Sequence, residues 1–184
     1  MITPEDINLS AASIDKEDLR VLFRVLDGRK INTVLEIGTW RGYSAELWHK
    51  AFEPSVLITM DHGNPDSFGG PVIKVPEAIY LWNRESGSNE AIAAVKEILD
   101  SYSRKVDFLF IDGGHELPTV TKDWQLYSPL VAPGGVVVFH DVSLLPGQNE
   151  TVMVKPLWDG LKLQYPHMEI KASMQSSGMG VLFV

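Results

Sequence analysis

Two rhythms of apolar residues run along this chain. Leu19, Leu22, Phe23 and Leu26 recur at helical spacing, and Gly28 stands where that helix would end. Leu47, Trp48, Ala51 and Phe52 repeat the spacing before Pro54. Between them lies "TVLEIG", a short buried strand from Thr33 to Ile37. The same exchange continues: "SVLITMD", "AIYLW", "VDFLFI" and "VVVFHD" read as strands, the last turned in by "APGG". Ile92, Val95, Ile98 and Leu99 mark a helix that Ser88 can cap. Val120, Trp124 and Tyr127 mark another, with Pro118 in its first turn. Leu157, Trp158 and Leu161 mark the last helix, and "MEIKAS" and "GVLFV" close the chain as a hairpin across "MQSSGMG".

Short apolar strands alternating with amphipathic helices predict an α/β fold, a mostly parallel sheet covered on both faces. Such sheets bind ligands beyond the carboxyl ends of their strands, so the strand tips are best taken together. They are Glu36-Ile37-Gly38, Asp61, Trp82-Asn83, Asp112 and His140-Asp141. All but one carry an acid, which a purely structural sheet does not need.

Composition narrows the function classes. The 184 residues suit one domain, 1–184, and 45% hydrophobic with 22% charged residues is a globular balance. A net charge of -8 without a Lys/Arg cluster argues against nucleic acid or an anionic membrane as partner. The absence of cysteine removes disulfides, thiolate metal sites and a cysteine nucleophile. With a polar, acidic start and no apolar run near the ~20 residues of a membrane helix, a cytoplasmic location is expected. A homo-oligomer is compatible with all of this.

The stretch "VLEIGTWRGYS" sets Glu36, Gly38 and Gly42 between the first strand and its helix. Gly38 allows a tight turn and close approach of a ligand. Asp61, on the next tip, can accept both hydroxyls of a ribose. The dinucleotide fingerprint G-x-G-x-x-G is absent, which counts against a nicotinamide-dependent oxidoreductase. The spacing resembles instead the E/D-x-G-x-x-x-G motif of class I S-adenosylmethionine-dependent methyltransferases. From about Thr33 to Val184 the chain follows that pattern. "FIDGGHELPTVTKDWQLYSPLVAPGGVVVFHDV" is similar to the small branch of cephalosporin-hydroxylase-like proteins and macrolide-sugar O-methyltransferases. The resemblance implies a Rossmann-like, doubly wound sheet of seven strands with an antiparallel C-terminal strand. It also implies S-adenosyl-L-methionine held by Glu36, Gly38, Gly42, Ser44, Asp61, Glu85, Ser86 and Asp112, with Glu36 near the amino-acid end. Glu85 and Ser86 would lie by the adenine, with Trp82 or Trp40 stacking on it.

In that branch a D-x-x-H tip and a later acidic tip hold a divalent metal and position a base. Here the metal set would be Asp112, His140 and Asp141, holding magnesium, manganese or a similar ion. The family's fifth-strand pair is Glu-Asp or Asp-Asn. The His140-Asp141 pair departs from it, and imidazole favours manganese, iron or zinc over magnesium. Asp112 and His115 are the candidate catalytic residues, His115 taking the proton of an acceptor hydroxyl. The function this implies is methyl transfer to a hydroxyl of a small molecule. A catalytically inactive S-adenosylmethionine-binding module is the other alternative. "HGNPDSFGGP" and "VSLLPGQNE" follow strand tips and are expected to rim the acceptor pocket, with Phe68, Leu144 and Leu145 as apolar contacts.

Overall fold

The computed structural model describes residues 14–143 and 153–184. Leu144 and Leu145, the expected rim contacts, lie outside the described residues. Seven strands form one sheet: β1 (Thr33–Ile37), β2 (Val56–Met60), β3 (Ile79–Leu81), β4 (Val106–Ile111), β5 (Val131–His140), β6 (His167–Ile170) and β7 (Met179–Phe183). Their order is β3-β2-β1-β4-β5-β7-β6. The β1–β5 pairings are parallel, whereas β7 runs antiparallel to both β5 and β6. The expected mostly parallel sheet with an antiparallel C-terminal strand is what forms.

Alternation within the central strands builds two cores. Val34, Phe108, Phe110, Val136 and Val138 face one way, onto α1 (Lys16–Val25) and α2 (Tyr43–Phe52). Leu35, Leu109, Ile111, Val137 and Phe139 face the other, onto α3 (Asn89–Ser101), α4 (Leu117–Tyr127) and α5 (Val154–Leu161). Each fully buried aliphatic or aromatic side chain contributes about 1.5–3 kcal/mol. The helix ends follow local chemistry: the Ser88 side chain accepts from the Ala91 N–H, and Pro118 sits in the first turn of α4. Among the described residues, no helix is long and apolar enough to cross a membrane.

The start of β5 differs from the sequence reading. "APGG" lies inside the strand, because the register slips between Val106↔Val131 and Phe108↔Val136. Gly134 takes φ 83 at this irregularity, and its neighbour Gly135 accepts from the Val184 N–H at 3.0 Å. The glycines mark a bulge rather than the turn before a strand.

Candidate functional site

Beyond the carboxyl ends of β1, β2, β4 and β5 lies a cavity of about 750 Å³. Backbone builds one end. Gly38 leaves β1 with φ 102, and the N–H groups of Gly38 and Thr39 both donate to the Met60 carbonyl, at 2.9 and 3.1 Å. A Cβ on Gly38 would sit 2.1 Å from the Asp112 carbonyl oxygen, so only glycine lets the tips of β1 and β4 meet. Trp40 follows with φ 43 and donates its N–H to Asp61 Oδ2 at 2.8 Å. Asp61 Oδ1 accepts from the Gly63 N–H at 2.9 Å. Each carboxylate oxygen keeps a second lone pair, which leaves Asp61 able to accept hydroxyls from a ligand.

Titratable side chains build the other end. Asp112, His115 and Asp141 each offer an atom within 4.8 Å of the others. His115 Nε2 lies 2.7 Å from Asp141 Oδ2 and 3.7 Å from Asp112 Oδ1. His140 points Nδ1 at Asp112 Oδ1, 3.2 Å away, and at Asp141 Oδ1, 3.4 Å away. The Asp112 and Asp141 carboxylates push His115 up to about 10. Burial opposes charge on His140, yet Asp112 and Asp141 outweigh it and push His140 up to about 10 as well. Burial likewise disfavours the charged acids, but the two histidines win and hold both Asp112 and Asp141 below the usual carboxylate range. The group is therefore two acids and two imidazoles in mutual neutralisation.

Comparison with known proteins now places the chain. The model of a methyltransferase domain family matches residues 35–142. The chain belongs to this methyltransferase family. An uncharacterized protein of Acanthamoeba polyphaga mimivirus, R132, is 31% identical over 115 residues, or 59% of this chain and 51% of that protein, so the match spans about half of its length. Among solved structures, a candidate caffeoyl-CoA O-methyltransferase from Staphylococcus aureus aligns over 92% of this chain and 84% of its own, at TM-score 0.67 and 15% identity. The O-methyltransferase TomG of Streptomyces achromogenes aligns over 93% and 81%, at 0.61 and 19%. The mycinamycin-pathway methyltransferase MycE aligns over 91% of this chain and 48% of its own, at 0.58 and 17%. At these identities the structural likeness speaks for the fold, a class I methyltransferase fold.

In this methyltransferase Gly38, Ser44, Asp61, Glu85, Ser86, Asp112, His115, His140 and Asp141 all line the cavity. Glu36 and Gly42 do not. Glu36 is fully buried and accepts from Trp48 Nε1 at 2.9 Å and from the Thr59 hydroxyl, tying α2 and β2 to β1. Glu36 therefore stands one step behind the cavity, bonded to Ser44, which is on its lining. Gly42 caps α2 with φ 79, and a Cβ there would sit 2.2 Å from the Ile73 carbonyl oxygen, so it accommodates the loop after β2. Of the expected stacking residues, Trp40 lines the cavity, but Trp82 is absent from its wall and stacks on Tyr80, 5.3 Å between centroids. Phe68 lines the cavity as expected. For the metal set, the compact trio contains His115 in place of His140, which is 4% exposed and sits behind the two acids.

Sequence reasoning missed Ser177 and Ile14, which also line the cavity. Ser177 is brought in by the β6–β7 connection, and its side chain bonds to Asp141. Asp18 of α1 holds that connection, accepting from the Ala172 N–H at 2.6 Å and from the Ser176 hydroxyl. A polar "SSG" before a closing strand was the available signal, but its place at the site depends on β7 pairing beside β5.

Proposed function

We propose that this chain is a single-domain S-adenosylmethionine-dependent O-methyltransferase acting on a small-molecule hydroxyl. The observation that carries the reading is one cavity with two unlike ends, a glycine turn with Asp61 at one and Asp112, His115 and Asp141 at the other. Its fold neighbours carry the matching ligands: TomG was crystallised with S-adenosylmethionine, and MycE with magnesium, S-adenosylhomocysteine and mycinamycin VI. A nicotinamide oxidoreductase has no support, since the turn after β1 lacks the fingerprint glycines.

Gly38 brings backbone close to the donor, Asp61 orients its ribose, and the charged end of the same cavity aligns the acceptor beside it. His115 Nε2 faces the acceptor end of the cavity; held protonated by Asp112 and Asp141, it would have to give up its own proton before it takes the acceptor's. Asp112 and Asp141 would hold a divalent ion by their carboxylates; with His115 as a third ligand the set fits the manganese, iron or zinc kind, and His115 then holds the ion instead of taking the proton. When bound, such an ion would supply positive charge that lowers the pKa of an acceptor hydroxyl.

Calorimetry with S-adenosylhomocysteine, and with NAD as control, tests the reading. Binding of the former alone is expected, and Asp61→Ala should weaken it by about 1–3 kcal/mol, the scale of lost charged hydrogen bonds. Binding of NAD alone would overturn the proposal. Methyl transfer to a panel of hydroxyl acceptors separates the enzyme from an inactive binding module.

A further inference from the structure

Asp141 sets its carboxylate 2.7 Å from His115 Nε2 on an uncommon backbone. Its φ is 60, in the left-handed region, which a residue other than glycine keeps only where its surroundings fix it. Those surroundings are one short stretch of the β6–β7 connection. On one side of Asp141, His140 pairs with Met179 in the β5–β7 ladder. On the other side, the Ser143 N–H donates to the Ser177 carbonyl at 2.7 Å. Between these partners Gly178 takes φ 75, where a Cβ would sit 3.0 Å from the Ile170 carbonyl oxygen and 3.4 Å from Ser143 Oγ. Residues 177–179 are therefore the mould in which the backbone of Asp141 is bent.

What fixes the mould lies on α1. The Gly178 N–H donates to Ser176 Oγ at 2.8 Å, and the Ser176 hydroxyl donates in turn to Asp18 Oδ2. The other oxygen of Asp18 accepts from the Ala172 N–H at 2.6 Å. A carboxylate only accepts, so this one rigid group ties down two points of the connection at once. Asp18 is 1% exposed, and a charge so buried is tolerated only because donors meet it. One turn earlier, Asp15 caps α1 and accepts from the Ser173 hydroxyl at 2.9 Å, which keeps the helix in register with the same connection. Both halves of the clamp end on the cavity, α1 through Ile14 and the connection through Ser177. Asp18, Ser176 and Gly178 all fall outside the 35–142 stretch that matches the family model.

We propose that Asp18 is a positioning residue for the charged end of the site: through Ser176 it sets the 177–179 turn, which holds Asp141 in its left-handed conformation and its carboxylate against His115. The consequence for turnover rests on the methyltransferase reading above. A reacting constellation tolerates little misplacement, so a contact remote from the chemistry can govern it.

The test is long-range proton–nitrogen NMR of the histidine rings, at one pH, with chelator and without ligand, beside calorimetry with S-adenosylhomocysteine. The nitrogen shift of His115 Nε2 reports its bond to Asp141 and is assigned by its loss in His115→Gln. Ser176→Ala cuts the tie to Asp18 and frees the Gly178 N–H, so it should move that shift. It should also lower turnover by up to about 10²-fold with an acceptor from the panel above, while the S-adenosylhomocysteine Kd stays within about twofold. Asp18→Asn keeps an acceptor for Ala172 but turns an N–H towards Ser176; it should move the shift in the same way, and it serves if the serine variant does not fold. Asp107→Ala is the control for stability loss alone, since it strips the Asn32 and Thr33 N–H groups of their acceptor at the opposite end of the sheet. It should lower Tm and leave the His115 shift where it is in wild type. A wild-type shift in a folded clamp variant overturns the inference, as does an equal movement in Asp107→Ala. The shift is read without cofactor, so failure of wild type to bind S-adenosylhomocysteine would overturn the methyltransferase reading alone.

Discussion

At the β1–β2 end of the cavity the polar groups are mostly backbone, and each is already spoken for: Gly38 and Thr39 donate to Met60, and Trp40 donates to Asp61. At the β4–β5 end they are side chains that change charge, and apart from Ser177 on Asp141 they answer one another: Asp112, His115, His140 and Asp141. The first end is a fixed mould whose geometry depends on glycine. The second is a balance of charges that any incoming cation, proton or hydroxyl will tilt. Binding a constant cofactor calls for the former, and moving a proton calls for the latter.

The largest expected effect is confined to the charged end. His115→Ala should lower turnover by about 10²–10⁴-fold, the usual contribution of a positioned base, while the S-adenosylhomocysteine Kd stays within about twofold. His140→Ala is the necessary companion, because its ring faces the same two acids. Steady-state rates with an active acceptor, beside calorimetry, check the pair. Equal losses of rate and cofactor affinity in His115→Ala would show that the two ends are not separable.

Gly38→Ala attacks the joint between the ends. The added Cβ would meet the Asp112 carbonyl carbon at 2.6 Å as well as its oxygen, on a backbone with φ 102. Strain of this kind costs about 2–4 kcal/mol. The β4 tip must move away, so cofactor affinity and turnover should fall together, and chemical unfolding should show the stability loss directly. Stability equal to wild type would mean that the turn is more pliable than its contacts indicate.

Much of this was legible in the chain. Continuous apolar runs in "VDFLFI" and "VVVFHD" and the caps at Ser88 and Pro118 reveal the layers, because each is a local signal. Gly38, Asp61, Asp112 and Asp141 reveal the cavity, since parallel strands deliver their tips to one edge. What stays hidden is what depends on neighbours distant in sequence. Ser177 reaches Asp141 only because β7 lies beside β5. Asp123 reads as a polar position of α4, yet it is fully buried. Trp82 is claimed by Tyr80, so an aromatic at a strand tip did not become a cavity wall.

Glu36 is the case where a motif residue turned out to stand behind the mould instead of in it, and its effect should be the smallest. Burial raises it from 4.5 to about 7, with hydrogen bonds from Thr59, Ser44 and Trp48 opposing and Asp112 adding to the rise. Below pH 4.5 the side chain is protonated whether folded or unfolded, and it costs nothing. Between 4.5 and about 7 the unfolded chain releases its proton while the folded chain still holds it. Unfolding therefore gains, and the stability this group leaves intact at low pH is lost as pH rises through 7. At about 1.36 kcal/mol per pH unit the ceiling is about 3 kcal/mol. Glu36→Gln removes the titration but places an amide donor against Trp48 Nε1–H or the Thr59 hydroxyl, returning part of the gain. That mismatch is the same at every pH, so a relative stabilisation of about 2–3 kcal/mol at pH 8 over pH 5 is the expected result, measured by urea unfolding of both proteins at each pH. The same difference between variant and wild type at both pH values would show that Glu36 is already charged within the fold, and that its hydrogen bonds outweigh its burial.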